Sequence, residues 1–193
     1  SFEECELAIL RHAVDEAEKI QSKSIIENPQ IKRIIRIVEE FIKQRRLVCY
    51  GGTAINNLLP AKSQFYDREL ELPDYDFYSS NPVQDAKDLA DIYFENGFTD
   101  VDAKAGVHHG TYKVYVNFMP IADITFLSPP IFEAISRYAV EKKEILYAPV
   151  NFLRMSMYLE LSRPGGDVSR WEKVLKRLIL LNQRYPLKPK HCS

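Results

Sequence analysis

Apolar residues recur at helical spacing near the start of the chain. Leu7, Leu10, Val14, Ala17 and Ile20 fall on one face of residues 2–22 with charges between them, which predicts an amphipathic helix. Asn28-Pro29 interrupts it. Ile31, Ile34, Ile35, Val38, Phe41 and Ile42 then repeat the pattern up to Gln44, followed by the cations Arg45-Arg46 that suit a helix C-terminus. Both helices are expected to act as packing elements.

The period changes after that. Leu47-Val48-Cys49-Tyr50 reads as a short strand that stops at Gly51-Gly52, and Thr53 to Leu59 has room for one or two helical turns before Pro60. Residues 61–73 show no steady period and read as a loop. Asp74-Tyr75-Asp76-Phe77-Tyr78 alternates charged and aromatic side chains, the mark of a half-buried strand. Asn81-Pro82 opens a helix with Val83, Ala86, Ala90, Tyr93 and Phe94 on its apolar face, and Asn96-Gly97 closes it. Strands are predicted over Phe98–Ala103, Thr111–Phe118 and Ile121–Leu127; the last two, separated by Met119-Pro120, suggest an antiparallel hairpin or a bent strand. Helical spacing returns over 131–140, 150–161 and 168–183, with Pro164-Gly165-Gly166-Asp167 as a connector and Asp167 as an N-cap. This order favours an α+β fold with a mixed sheet over a doubly wound parallel one.

Composition narrows the class. The chain has 193 residues, 46% hydrophobic and 27% charged, which excludes disordered and fibrous proteins. No apolar run approaches the roughly 18 residues of a membrane span, and the first residues are acidic, so the chain reads as intracellular with no membrane partner. Cys5, Cys49 and Cys192 include no CxxC pair and read as reduced thiols. The formal net charge of −1 conceals a split. Residues 1–127 carry 14 Lys+Arg against 21 Asp+Glu, while residues 128–193 carry 12 against 6. An acidic body followed by a basic section points to an anionic partner bound across the two.

Three features carry chemistry. Gly51-Gly52-Thr53, between a strand and a helix start, is a candidate phosphate cradle, because glycine lets backbone N–H groups approach an anion. Asp74 and Asp76 lie two apart on a predicted strand, so both project to one face with Cα atoms roughly 6.5 Å apart. Asp123 is the single charge in the apolar strand Ile121–Leu127, a costly placement unless it is paired or metal-bound. If the two strands are neighbours, three carboxylates converge and can hold two Mg²⁺ ions about 3.5–4 Å apart for in-line attack on a phosphate. His108-His109 reads as an exposed turn. Lys173, Lys176 and Arg177 on the last helix, and Arg154, are candidates for phosphate or RNA contact, and Tyr75, Tyr78, Tyr112 and Tyr115 for base stacking.

The set of glycine pair, Asp-x-Asp and later Asp resembles the nucleotidyltransferase superfamily with its polymerase-β-like palm. Tyr50 to Asn57, Phe65-Tyr66-Asp67, Pro73 to Ser79, Leu153 to Pro164 and Arg170 to Leu178 are more closely similar to poly(A) polymerases of large cytoplasmic DNA viruses, mimivirus-like ones in particular. The resemblance implies helices over 1–46, a catalytic palm over 47–127 with a mixed, mainly antiparallel sheet, and a basic helical segment over 128–193 leading into a further C-terminal domain. It implies that Asp74, Asp76 and Asp123 hold Mg²⁺ or Mn²⁺, and that Gly51, Gly52 and Thr53 hold the β- and γ-phosphates of the substrate ATP. It further implies template-independent addition of AMP to RNA 3′ ends, in the cytoplasm of an infected cell or in a virion. A homo-oligomer or a processivity partner is left open. So are two rival activities, modification of tRNA or protein by a small nucleotidyltransferase and a non-catalytic scaffold of the same fold.

Overall fold

Capping and periodicity agree at the second helix, and it forms as α2 (Pro29–Gln44). Asn28 accepts a hydrogen bond from Gln30 N at 2.9 Å, and Pro29 occupies the first turn, where a missing N–H costs nothing. Ile31, Ile34, Val38, Phe41 and Ile42 line its buried face. The first helix forms as α1 (Phe2–Glu27) and meets α2. On its predicted apolar stripe Leu7, Leu10 and Val14 are about half exposed. The structure is a computed structural model and describes residues 2–66, 73–163 and 165–187. Asp67, Pro164 and Cys192 lie outside the described residues; Cys5 is exposed and Cys49 buried, both as thiols.

Seven strands build one sheet: β1 (Val48–Tyr50), β2 (Tyr75–Ser79), β3 (Val101–Ala105), β4 (Thr111–Val116), β5 (Met119–Phe126), β6 (Val140–Lys142) and β7 (Ile145–Tyr147). Their order is β3-β4-β5-β2-β1-β7-β6. The pairs β2·β5 and β1·β7 are parallel and the other four antiparallel, so the sheet is mixed and mainly antiparallel as expected. The remaining helices are α3 (Gly51–Leu58), α4 (Pro82–Glu95), α5 (Pro129–Arg137), α6 (Val150–Ser162) and α7 (Trp171–Arg184).

Several boundaries move for local reasons. Met119-Pro120 does not separate two strands but begins β5; Pro120 pairs with Tyr115 beside a bulge, where a ladder tolerates a missing N–H. The turn is Asn117-Phe118, both at positive φ (50° and 64°), the handedness that suits a tight hairpin. Phe98 does not start β3. It is buried with its ring 5.8 Å from Tyr93. The helix expected over 131–140 stops at Arg137, and β6 and β7 follow mostly in the unassigned stretch before the helix expected over 150–161, within a segment read as basic and helical. Their turn, Lys143-Glu144, is also left-handed. The sheet therefore draws on residues from both sides of position 127.

Register gives the sheet two unlike faces. Ile124, Phe77, Cys49 and Tyr147 are register partners across β5, β2, β1 and β7, and all are at most 3% exposed. This face packs on α2 and α4: Phe41 stacks obliquely on Phe77 at 6.4 Å, and Tyr93 OH donates to Ile34 O at 2.8 Å. Burying each such side chain contributes about 1.5–3 kcal/mol. One residue along the strands, the partners are Lys113, Asp123, Asp76 and Tyr50. That second face opens on a cleft closed on its far side by α6 and α7.

Candidate active site

The cleft has a volume of 610 Å³, and the glycine turn, all three predicted aspartates, and parts of α6 and α7 line it. Asp76 and Asp123 are direct register partners on parallel strands, and Asp74 immediately precedes β2. Thr53 Oγ1 donates to the Asp74 carbonyl oxygen at 2.6 Å, tying the first turn of α3 to the start of that strand. The condition set by the sequence, that the two carboxylate-bearing strands be neighbours, is met.

Both glycines have a steric reason to be glycine. Gly51 sits at φ +70°, a left-handed conformation, and a Cβ there would overlap the Asp76 carboxylate. A Cβ on Gly52 would overlap the Tyr66 hydroxyl and meet the Arg177 guanidinium at 3.0 Å. The turn thus admits a carboxylate on one side and a guanidinium on the other.

Electrostatics mark the same place. Burial, reinforced by the negative charges of Asp74 and Asp123, pushes the Asp76 carboxyl up to about 7, with Lys113 and Arg170 opposing. Desolvation and then Asp123 raise Asp74 as well. Lys113 Nζ holds the two oxygens of Asp123 at 2.7 and 2.6 Å, and these bonds keep the ammonium above its usual value although burial lowers it. Burial and Asp76 push the stacked pair Tyr50 and Tyr78 upward, so both stay neutral; their rings lie 4.0 Å apart. Tyr50 OH is 2.7 Å from Thr125 Oγ1, which is 2.9 Å from Thr111 Oγ1.

The donor set suits a hard divalent cation, since three carboxylates face one cleft and burial, then the charges of the other two, disfavour the charge of the central one, which a cation would compensate. Among the described residues no group of three or more such side chains is drawn together into a finished cage. Asp123 is turned to Lys113 instead.

Other candidates separate. Arg177 donates to Tyr66 OH at 2.6 Å and lies over the Phe65 and Tyr66 rings at 4.9 and 5.4 Å, while its buried Nε has no partner. Lys173 lines the cleft, whereas Lys176 is exposed and paired with Glu172 at 2.6 Å. Arg154 is not a cleft cation. It is 4% exposed and bonds Asn182, Asn151 and the Tyr185 carbonyl. Tyr78 faces the cleft, but Tyr75 is buried with its hydroxyl on Glu39, and Tyr115 lies under Lys104 at 4.3 Å. His108 and His109 are exposed at the β3–β4 turn, and His108 reaches the cleft mouth. Lys113 and Tyr66 went unmarked as site residues in the sequence. Lys113 carried a usable signal, because it is a single charge inside a strand, the same signal that marked Asp123.

Sheet, glycine turn and facing carboxylates define a nucleotidyltransferase-type fold, and the family model for the poly(A) polymerase catalytic subunit matches residues 36–167. The chain belongs to that family. It is 34% identical over 164 residues to a protein of African swine fever virus (isolate Tick/Malawi/Lil 20-1/1983) described as a poly(A) polymerase catalytic subunit, covering 82% of this chain and 34% of that one. It is 31% identical over 183 residues to the corresponding protein of Acanthamoeba polyphaga mimivirus, covering 93% of this chain and 30% of that one. The crystal structure of the Megavirus polyadenylate synthase superposes with a TM-score of 0.85 at 28% identity, over 95% of this chain and 37% of that one. The chain therefore spans about a third of the length of these relatives.

Proposed function

We propose that this chain carries the catalytic face of an adenylyltransferase that adds AMP from ATP to RNA 3′ ends without a template. The observation that supports this most is the placement of Asp74, Asp76 and Asp123 on one cleft, facing a glycine turn and a basic helix, in a chain of this family. In this reading the three aspartates hold Mg²⁺ or Mn²⁺. Bound there, the ions would supply activation of the 3′-hydroxyl and neutralisation of the leaving pyrophosphate.

The chain's own groups do the rest. The first-turn N–H groups of α3, from Gly51, Gly52 and Thr53, lack acceptors within the helix and would meet the β- and γ-phosphates. Arg177, whose Nη1 and Nη2 lie against Gly52, and Lys173 balance the phosphate charge. Residues of α6 and α7 wall the cleft opposite the sheet. Positioning and charge balance suffice, and no covalent intermediate is needed. No helix among the described residues is long and apolar enough to cross a membrane. By analogy with the viral relatives, we place the activity in the cytoplasm of an infected cell or in a virion. A second copy or a separate processivity subunit would add grip on the RNA.

The test offers ATP, Mg²⁺ or Mn²⁺ and three acceptors in parallel: an RNA primer, tRNA and protein. A ladder of lengthened primers is the expected outcome. Label transferred only to tRNA or protein would replace this reading by one of the rival activities, and no transfer with no ATP binding would favour a scaffold.

A further inference from the structure

The row of register partners that contains Asp76 and Asp123 ends on β4 at Lys113, and the glycine turn follows β1 at the row's opposite end. Lys113 therefore stands across the carboxylates from the proposed phosphate site. Its ammonium reaches both oxygens of Asp123, at 2.7 and 2.6 Å, so a single cation spans the whole carboxylate. The pair is partly withdrawn from water, with the Lys113 side chain 30% and the Asp123 side chain 17% exposed.

Three carboxylates on one cleft repel one another, and a chain that folds before meeting a divalent cation needs a positive charge of its own among them. Arg170 also acts on Asp76 through space, but Lys113 bonds a carboxylate of the set directly. Lysine also suits a temporary role, because a compact ammonium on a flexible stem can swing away, whereas an arginine fork would lock the carboxylate in a bidentate pair.

We propose that Lys113 is an internal counter-ion that holds Asp123 in the metal-free protein and competes with a divalent cation for the same carboxylate oxygens. The proposal rests on the reading of the three aspartates as metal ligands. A cation that takes an Asp123 oxygen displaces the ammonium, and the two are negatively coupled: whatever Lys113 adds to the metal-free fold, it subtracts from metal affinity. Lys113 is thus a positioning residue that acts through Asp123.

The experiment is a Mn²⁺ titration followed by electron paramagnetic resonance on the wild type, Lys113→Met and Lys113→Arg, with thermal unfolding in EDTA and in Mn²⁺. Lys113→Met is expected to bind Mn²⁺ about fivefold or more tightly, to melt lower in EDTA and to gain more from added Mn²⁺. Lys113→Arg should bind no more tightly than the wild type. Unchanged or weaker Mn²⁺ binding in Lys113→Met overturns the proposal. Should that variant fail to fold, lysine-selective NMR of the wild type decides. The Lys113 ammonium protons should be protected from exchange in EDTA and exposed by Mg²⁺; protection that persists at saturating Mg²⁺ overturns the proposal. A wild type that binds no Mn²⁺ at all is a different failure, since it removes the carboxylate reading and the proposal with it.

Discussion

Asp76 and Phe77 are neighbours on β2 and belong to opposite economies. Phe77 turns to the face packed on α2 and α4, where it is fully buried among apolar partners. Asp76 turns to the cleft, where burial and two other carboxylates disfavour its charge. Asp123 and Ile124 repeat the contrast on β5, in register with them. One face of the sheet stabilises the chain. The other maintains an arrangement that makes no sense for stability and good sense for binding cations and phosphates. The alternation of a strand makes this division possible, because successive side chains go to opposite sides of the same backbone.

The contrast can be broken from either side. Phe77→Ala should destabilise the fold by about 3–5 kcal/mol, the range for deleting a buried aromatic, measured by urea unfolding. Two arginines give the next largest effect. Arg154→Ala leaves the Asn182, Asn151 and Tyr185 acceptors unpaired and should cost about 2–3 kcal/mol of stability. Arg177→Ala should instead raise the KM for ATP while moving the unfolding midpoint less, since the Arg177 Nε is already unpaired. Gly51→Ala forces a side chain into a left-handed position against Asp76 and should cost about 1–2 kcal/mol, with loss of activity as the carboxylate shifts.

A pH dependence probes the cleft face without any substitution. The folded protein holds a proton on Asp76 up to about pH 7, whereas the unfolded chain releases it near pH 4. The folded state therefore binds more protons in that window, and stability in EDTA should fall as pH rises from about 4 to 7. Asp74 shifts in the same direction. Chemical denaturation across that range checks the sign, and saturating Mg²⁺ should flatten the slope.

Much of this division was legible in the sequence. The strand, glycine turn and helix start over 47–59, the alternating Asp74–Tyr78 strand and the lone Asp123 carry local signals that survive folding, and register merely brought the two strands together. What escaped was either masked or non-local. The β6 and β7 strands run through Glu141-Lys142-Lys143-Glu144, whose charges hide any period and whose turn uses two left-handed residues that are neither glycine nor asparagine. Leu7, Leu10 and Val14 on α1 have a clear period yet stay about half exposed, because periodicity states what a helix can bury and not what is there to bury it. Arg154 and Arg177 look alike in sequence and differ only through partners far away in the chain: Asn182 for one, Tyr66 for the other.

The central claim, that the cleft face is maintained for catalysis at a cost to stability, is tested most directly by Asp76→Asn. The substitution keeps shape and removes the charge. Unfolding in EDTA at pH 8 and ATP incorporation into an RNA primer, measured on the same preparation, should move in opposite directions: higher stability than the wild type, and incorporation lower by about 10²–10³-fold or more. A variant that extends the primer as well as the wild type, or that loses stability together with activity, would contradict the account.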